Sequence, residues 1–282
     1  MTTVAIVGAG EIGGATAHAL ASSDRVGRVL LIDAADGVAA GKALDIQQGG
    51  AIDRFHTRLD GTGDPTRATG CAVCVVADRV GAAAGEWRGE EGLALLRQLV
   101  PCLSRAPIVF AGAWQAELVA MAAREAEVDR RRLVGSAAEA FASAVAAMVA
   151  LEAGCSPREV MLTVLGTPPS GLVVPWSEAS IGGYGLQQVL SPPRIARLEA
   201  RAARLWPPGP YALGAAAARL VTALLSSSRQ SFCVLTQLDG EFGVRNRPGC
   251  LPARLAPHGI ASTRVPELTT RERVQVQTAL GA

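Results

Sequence analysis

Three glycines near the N-terminus have the spacing of a phosphate-binding turn. The pattern Gly8-x-Gly10-x-x-Gly13 follows an apolar run at residues 4–7 and precedes an alanine-rich stretch, which predicts a buried strand, a tight turn and a helix start. Backbone N–H groups and the helix dipole would then point at one place and hold an anion. The glycines permit the turn and the close approach of a pyrophosphate. The predicted cofactor-binding residues of this turn are Gly8, Gly10, Glu11, Ile12 and Gly13.

Asp33 supplies the second part of a dinucleotide site. It ends the next apolar run, residues 29–32, about 20 residues beyond the turn, where a carboxylate accepts hydrogen bonds from an adenosine ribose. A carboxylate also repels a 2′-phosphate, and no arginine follows it directly, so we predict NAD rather than NADP. The alternative is an aspartate that only caps a turn at the end of a strand, without a ligand. We favour the dinucleotide because the motif and its context agree.

The composition is typical of a globular protein with one large domain or two smaller ones. The chain has 282 residues, of which 49% are hydrophobic and 18% charged, and a formal net charge of +2. This balance excludes a disordered chain and favours no nucleic-acid partner. No apolar run reaches the roughly 18–20 residues of a membrane span, and no basic leader precedes the first apolar run. We therefore expect a cytoplasmic protein with no membrane partner.

The six cysteines do not have the spacing of a metal centre. Cys71 and Cys74 are close enough in sequence to suggest a metal or redox pair. They lie in an apolar segment predicted to be a strand, however, where side chains three residues apart point to opposite faces. We predict buried thiols and no metal site.

The order of predicted strands and helices indicates an α/β fold. Apolar runs such as residues 71–76 and 108–111 alternate with helical stretches such as residues 89–99, which predicts a parallel sheet covered on both faces. From about residue 137 the pattern changes to long helices and a hairpin-like segment, and Thr269 and Glu272 have the spacing of a helix cap. We predict a Rossmann-type doubly wound parallel sheet over residues 1–138 and a mixed α+β domain over residues 139–282.

Several short motifs follow one another along the chain. They are the glycine turn, Leu31-Ile-Asp33, Gly41-Lys-Ala-Leu-Asp45, Gly61-Thr-Gly-Asp64, Val164-Leu-Gly166, Tyr211-Ala-Leu-Gly214, Asp239-Gly-Glu-Phe-Gly243 and Leu268-Thr-x-x-Glu272. In these motifs and their order, the chain resembles the lactate/malate dehydrogenase family over essentially its whole length. The resemblance implies an NAD-dependent oxidoreductase that interconverts a 2-hydroxy acid and a 2-oxo acid, and a homo-oligomer, either a dimer or a tetramer.

The resemblance also implies where the catalytic residues of that family would lie. In that chemistry a histidine takes the hydroxyl proton, an aspartate orients the histidine, and arginines bind the carboxylate and polarise the carbonyl. This chain has Pro168 at the histidine position, Phe141 at the aspartate position and Ala144 at the position of the carboxylate-binding arginine. Arg88 alone retains a family residue, the carbonyl-polarising arginine. Two further positions, those of the substrate-positioning asparagine and the substrate-selecting loop residue, hold Gly112 and Ala82.

Other polar residues offer weak substitutes. His18 lies on the first helix and is expected to pack or cap, while His56 and His258 do not map to the substrate cleft. Asp78 and Arg79 stand where the family has small residues near the cofactor. We favour a salt bridge between these two over a contact with the pyrophosphate.

Two functions follow. The first is an NAD(H)-binding family member without 2-hydroxy-acid dehydrogenase activity, acting as a redox sensor, scaffold or subunit. The second is an active NAD-dependent oxidoreductase whose carbonyl or alcohol substrate lacks a carboxylate, with Arg88 polarising the carbonyl and water or Ser170 relaying the proton. A third, weaker interpretation makes the apolar site an oligomer contact.

Overall fold

The computed structural model describes residues 2–81, 85–169, 171–226 and 228–281. The first half alternates strands and helices, as the sequence predicts. Its elements are β1 Thr3–Val7, α1 Glu11–Ser23, β2 Arg28–Ile32, α2 Asp36–Asp53, β3 Arg58–Thr62, β4 Val73–Val76, α3 Gly89–Leu99, β5 Ile108–Phe110, α4 Ala116–Arg124 and β6 Leu133–Gly135.

The second half combines helices with antiparallel strands. Within the described residues, no helix is both long enough and apolar enough to cross a membrane. The elements are α5 Ala137–Ala153, β7 Val160–Met161, β8 Leu165–Thr167, β9 Gly171–Val173, β10 Ser180–Ile181, β11 Tyr184–Gly185, α6 Leu186–Val189, α7 Pro192–Ala202, α8 Pro210–Ser226, β12 Ser231–Asp239, β13 Arg245–Ala256, β14 Gly259–Thr263 and α9 Thr270–Leu280.

The first six strands form a parallel sheet in the order β3-β2-β1-β4-β5-β6. Helices cover both of its faces. Val4 and Ile6 of β1 pack in the hydrophobic cluster that includes residues of α1 and α8, while Ala5 and Val7 pack in the cluster that includes residues of α3 and α4. Burial on both faces explains why the strands are apolar throughout rather than alternating. The predicted doubly wound α/β fold with an α+β second half is confirmed.

The sheet continues from the first half of the chain into the second. β6 pairs antiparallel with β12 through Gly135 and Leu235. β12 and β13 then form a hairpin, and β13 also pairs with β8 and β14. The proposed boundary between residues 138 and 139 falls in the first turn of α5 and stays a prediction.

The order of the strands creates a crevice between β1 and β4. The chain runs outward from β1 to β2 and β3, then returns to pair β4 with the other side of β1. At such a switch point, the loops that follow the two strands separate and leave room for a ligand. The glycine turn after β1 and residues 77–81 after β4 therefore lie side by side. α8 packs so closely on α1 that a Cβ at Gly214 would lie 2.6 Å from that of Ala15, which brings the start of α8 to the same crevice.

Candidate functional site

The glycine turn is tightly packed against the ends of the neighbouring strands. Gly8 has φ +104°, a value that L side chains rarely adopt. Its N–H donates to the carbonyl of Ile32 at 2.7 Å, and the N–H of Gly10 donates to the carbonyl of Asp78 at 2.8 Å. A Cβ at Gly13 would overlap the carbonyl oxygen of Gly8. Gly8 and Gly13 thus each have a backbone reason to be glycine.

The carboxylate of Asp78 lies at the N-terminus of α1. Its Oδ1 accepts a hydrogen bond from the N–H of Gly13 and its Oδ2 accepts one from the N–H of Glu11, both at 2.9 Å. A Cβ at Gly10 would overlap this carboxylate. Asp78 is 9% exposed. The backbone N–H groups predicted to bind an anion do point at one place, and the carboxylate of Asp78 accepts their hydrogen bonds.

Asp33 ties together the loops around the crevice. Its Oδ2 accepts hydrogen bonds from the N–H of Ala9 at 2.9 Å and the N–H of Val80 at 3.1 Å, and its Oδ1 accepts one from Ala35 at 3.0 Å. The side chain is buried at the end of β2. It therefore holds the turn after β1 next to the loop after β4, and it also lies where the sequence predicts a ribose-binding carboxylate.

Lys42 was not among the predicted site residues, although it belongs to the Gly41-Lys-Ala-Leu-Asp45 motif. Its Nζ donates to the carbonyl oxygens of Ala9 and Gly10, both at 2.7 Å. The ammonium group thus fixes the glycine turn from the α2 side. It also places a positive charge near the anion site at the start of α1.

A cleft of about 790 Å³ opens in front of the glycine turn. Predicted residues Gly10, Glu11, Ile12 and Arg88 line it, as does Asp78. The other lining residues come from the glycine turn, α2, the loops after β4 and β5, the loop before α8 and the start of α8, namely Ala9, Lys42, Arg79, Val80, Gly81, Gly85, Glu86, Ala113, Trp114, Pro207, Pro208, Pro210 and Leu213.

The two arginines of the loop after β4 are held by tryptophans. The guanidinium of Arg79 lies 4.7 Å from the ring centre of Trp87, and its Nη1 pairs with Glu91 at 2.9 Å. The predicted Asp78–Arg79 salt bridge is therefore wrong, because each side chain has a different partner. Arg88 lies over the ring of Trp114, 5.4 Å from its centre. Such cation–π contacts orient a guanidinium at the mouth of the cleft.

Glu86 is a carboxyl group of the cleft that the sequence did not single out. It accepts hydrogen bonds from the N–H groups of Ala113 at 3.0 Å and Trp114 at 2.7 Å. Burial raises the pKa of Glu86, against the lowering effect of these hydrogen bonds and of Arg88. Its position depends on how the loop folds back onto the end of β5, and no short sequence motif reveals that.

Aromatic residues occupy the region beside the cleft. Phe141 is 3% exposed and packs edge to face on Trp206, with ring centres 6.0 Å apart. Trp206 in turn packs on Trp114 at 6.4 Å. Phe141 and Trp206 also line a second cavity of about 680 Å³, whose other lining residues are mainly apolar. The row of rings therefore runs from the cleft, which Trp114 lines, to this second cavity.

The remaining family positions carry no acid, base or cation. Pro168 is buried in the turn after β8, and Ala144 is half-buried on α5. Gly112 is buried after β5, where its N–H donates to Gln115. Ala82 and Ser170 lie outside the described residues.

The three histidines lie away from the cleft. His18 on α1 pairs with Asp53 at 3.4 Å, and His56 pairs with Asp24 at 3.2 Å. His258 is exposed in the turn between β13 and β14. The lining of the described cleft includes none of them. Within the described residues, no group of three or more His, Cys, Asp and Glu side chains could hold a metal ion.

Comparison with known proteins agrees with this architecture. Residues 2–105 match the family model described as lactate/malate dehydrogenase, NAD binding domain. A malate dehydrogenase of Thioalkalivibrio sulfidiphilus is 28% identical, over 99% of this chain and 96% of that protein. The structure of malate dehydrogenase from Salinibacter ruber superposes with a TM-score of 0.90 at 24% identity, covering 99% of this chain and 94% of that chain. The structure of a lactate dehydrogenase from Cryptosporidium parvum, complexed with lactic acid and NAD, has a TM-score of 0.88 at 19% identity. The match covers 99% of this chain and 95% of that chain.

The fold and the matched domain define a dinucleotide-binding α/β protein. Residues 2–105 match the NAD-binding domain of the lactate/malate dehydrogenases, and nearly the whole chain is similar to malate dehydrogenases. The prediction of NAD as the cofactor is confirmed at the level of the matched domain. The glycine turn and the N-terminus of α1 form the kind of backbone frame that binds a pyrophosphate in dinucleotide-binding folds. The carboxylate of Asp78, however, uses the N–H groups to which the pyrophosphate would bind.

Proposed function

We propose that this protein is an NAD(H)-binding member of the family that does not oxidise 2-hydroxy acids or reduce 2-oxo acids, and that it acts as a redox sensor, scaffold or subunit. The observation that carries the proposal is the replacement of the proton-transfer pair. Phe141 and Pro168, both buried, stand where the resemblance places the aspartate and the histidine.

The chemistry of the reaction explains why these replacements matter. Bound NAD would supply the hydride acceptor, but the substrate hydroxyl must also lose its proton to a base. A phenyl ring and a pyrrolidine ring can neither accept nor orient a proton, and loss of a general base typically costs ~10²–10⁴ in rate. Ala144 removes the cation that would bind the carboxylate through two parallel hydrogen bonds.

The experiment measures NADH binding and turnover separately. Calorimetric titration with NADH should give measurable binding, while pyruvate and oxaloacetate should produce no loss of nicotinamide absorbance beyond the enzyme-free rate. An absence of binding at millimolar NADH would overturn the proposal. Turnover of either 2-oxo acid at ordinary dehydrogenase rates would also overturn it.

A second candidate function is oxidation or reduction of a small alcohol or aldehyde that lacks a carboxylate. Two observations favour it: Glu86 and Arg88 both line the cleft, and burial raises the pKa of Glu86, which is the direction that favours its protonated form. The names of the sequence relatives also favour an active enzyme. Arg88 would polarise the carbonyl and Glu86 would exchange the proton.

A panel of small aldehydes with NADH tests this candidate. Turnover that disappears in Glu86→Gln and Arg88→Gln, but persists in Glu90→Gln, would support it. Glu90 is an exposed acid on α3 and provides a matched control. Because Glu86 also holds the loop, its variant should be tested for a changed pH profile as well as a lower rate.

Homo-oligomer formation and a cytoplasmic location remain proposals drawn from the resemblance and the composition.

A further inference from the structure

We propose that Asp78 is an internal competitor for the pyrophosphate of NAD, so that the dinucleotide binds only when this carboxylate leaves the N-terminus of α1. The inference rests on the NAD-binding part of the proposed function and adds the residue that determines the affinity for NAD. It assigns to Asp78 a role in selecting which ligands the cleft accepts.

The first argument is that the carboxylate of Asp78 already occupies the anion site at the N-terminus of α1. The N–H groups of Glu11 and Gly13 are those that a helix N-terminus offers to an anion, and Asp78 accepts both at 2.9 Å. Hydrogen bonds to a carboxylate at a helix start are strong because charge and dipole act together. A pyrophosphate and a carboxylate cannot share these donors, since both are negative and each needs the same small volume.

The second argument is contact with the glycine turn. Gly10 is the position at which a dinucleotide-binding turn needs the closest approach of the ligand to the backbone. In this chain a Cβ at Gly10 would overlap the carboxylate of Asp78. The missing side chain therefore leaves a space that Asp78 itself fills.

The third argument is that hydrogen bonds fix the backbone around Asp78, whereas its side chain borders the open space of the cleft. The carbonyl of Asp78 accepts the N–H of Gly10 at 2.8 Å, and the N–H of Val80 donates to Asp33 at 3.1 Å. Asp78 also pairs with Glu86 in an isolated antiparallel bridge. The side chain lines the 790 Å³ cleft, so a change of rotamer would move the carboxylate into this space without moving the strand.

The experiment compares ligands with and without a pyrophosphate. Calorimetric titrations with NADH, ADP-ribose and adenosine are run on the wild-type protein and on Asp78→Ala and Asp78→Asn. We expect NADH and ADP-ribose to bind at least about tenfold more tightly to both variants, and adenosine to bind equally to all three proteins. Glu90→Ala removes the same charge from the exposed start of α3 and should leave all three affinities unchanged.

The outcomes separate this inference from the proposed function. Wild-type binding of NADH with equal or weaker binding by both Asp78 variants would overturn the inference alone. No binding by the wild type or by either variant at millimolar NADH would overturn both. Binding by the variants but not by the wild type would support the inference and overturn the proposed function. Circular dichroism and thermal unfolding without ligand verify that each variant is folded, and Asp78→Asn keeps the shape of the side chain if Asp78→Ala is unstable.

Discussion

The ring of Phe141 packs edge to face against the ring of Trp206, with centres 6.0 Å apart and planes at 64°. The resemblance places a charged aspartate at position 141, so this contact marks a change of role. The side chain contributes to the apolar interior beside the cleft rather than to proton transfer. A buried aromatic pair of this kind adds stability beyond the area it buries.

Phe141→Ala should therefore destabilise the protein by about 3–5 kcal/mol, the usual cost of removing a buried aromatic side chain. Denaturant unfolding followed by circular dichroism measures the change. Ser143→Ala, at an exposed position on the same helix, is the control and should change the free energy of unfolding by less than about 0.5 kcal/mol. A loss below about 1 kcal/mol for Phe141→Ala would show that the ring does not hold this region.

The main features of the fold could be predicted from the sequence because they depend on local patterns. The apolar run of β1 leads into Gly8, and Thr269 and Glu272 form the expected reciprocal cap of α9. The role of Asp78 could not be predicted in this way. Its carboxylate reaches α1 only because β4 pairs in register beside β1, a long-range relationship that the glycine motif does not contain. The contact of Glu86 with the loop after β5 likewise depends on tertiary packing.

Glu272 should stabilise the protein at neutral pH. Burial alone would raise its pKa, but hydrogen bonds from Ser177 and Thr269 together lower the pKa below its ordinary value of 4.5. Because the folded state holds the charged form more tightly, this stabilisation is present above the unfolded pKa and is lost as the pH falls through the folded pKa. Glu272→Gln should cost about 1–3 kcal/mol at pH 7, and the difference from wild type should shrink as the pH falls below 4.5.

Urea unfolding at several pH values measures this effect. Glu267→Gln, at an exposed position just before the same helix, is the matched control and should show no such pH dependence. A difference for Glu272→Gln that stays constant between neutral and acid pH would contradict the assigned role of the carboxylate.

The cysteines should differ sharply in reactivity. All six lie within the described residues and are free thiols. Burial raises the pKa of Cys71 to about 11 and that of Cys233 to about 12, and it also raises those of Cys74 and Cys250. Thiolate formation and access are therefore both suppressed at these positions. The remaining two thiols, Cys102 and Cys155, are half-buried.

An aromatic disulfide reagent at pH 8 should modify Cys102 and Cys155 in the native protein and the other thiols only after unfolding. The double variant Cys102→Ser/Cys155→Ser should show no rapid phase. Rapid reaction at Cys71 or Cys74 in that variant would contradict the buried position of Cys74 in β4 and of Cys71 just before it.

The most direct measurement is the consumption of NADH in the presence of oxaloacetate, monitored by the absorbance of the nicotinamide. It is made on the wild-type protein and on Asp78→Ala, at cofactor concentrations where calorimetry shows binding. Using both proteins separates poor cofactor binding from missing chemistry. We predict bound NADH with no consumption above the enzyme-free rate in either protein, because Phe141 and Pro168 supply neither a base nor its orienting carboxylate. Turnover at about 1–10³ per second, the ordinary range of enzymes, would contradict the proposal that this protein holds NAD without the chemistry of the lactate/malate dehydrogenases.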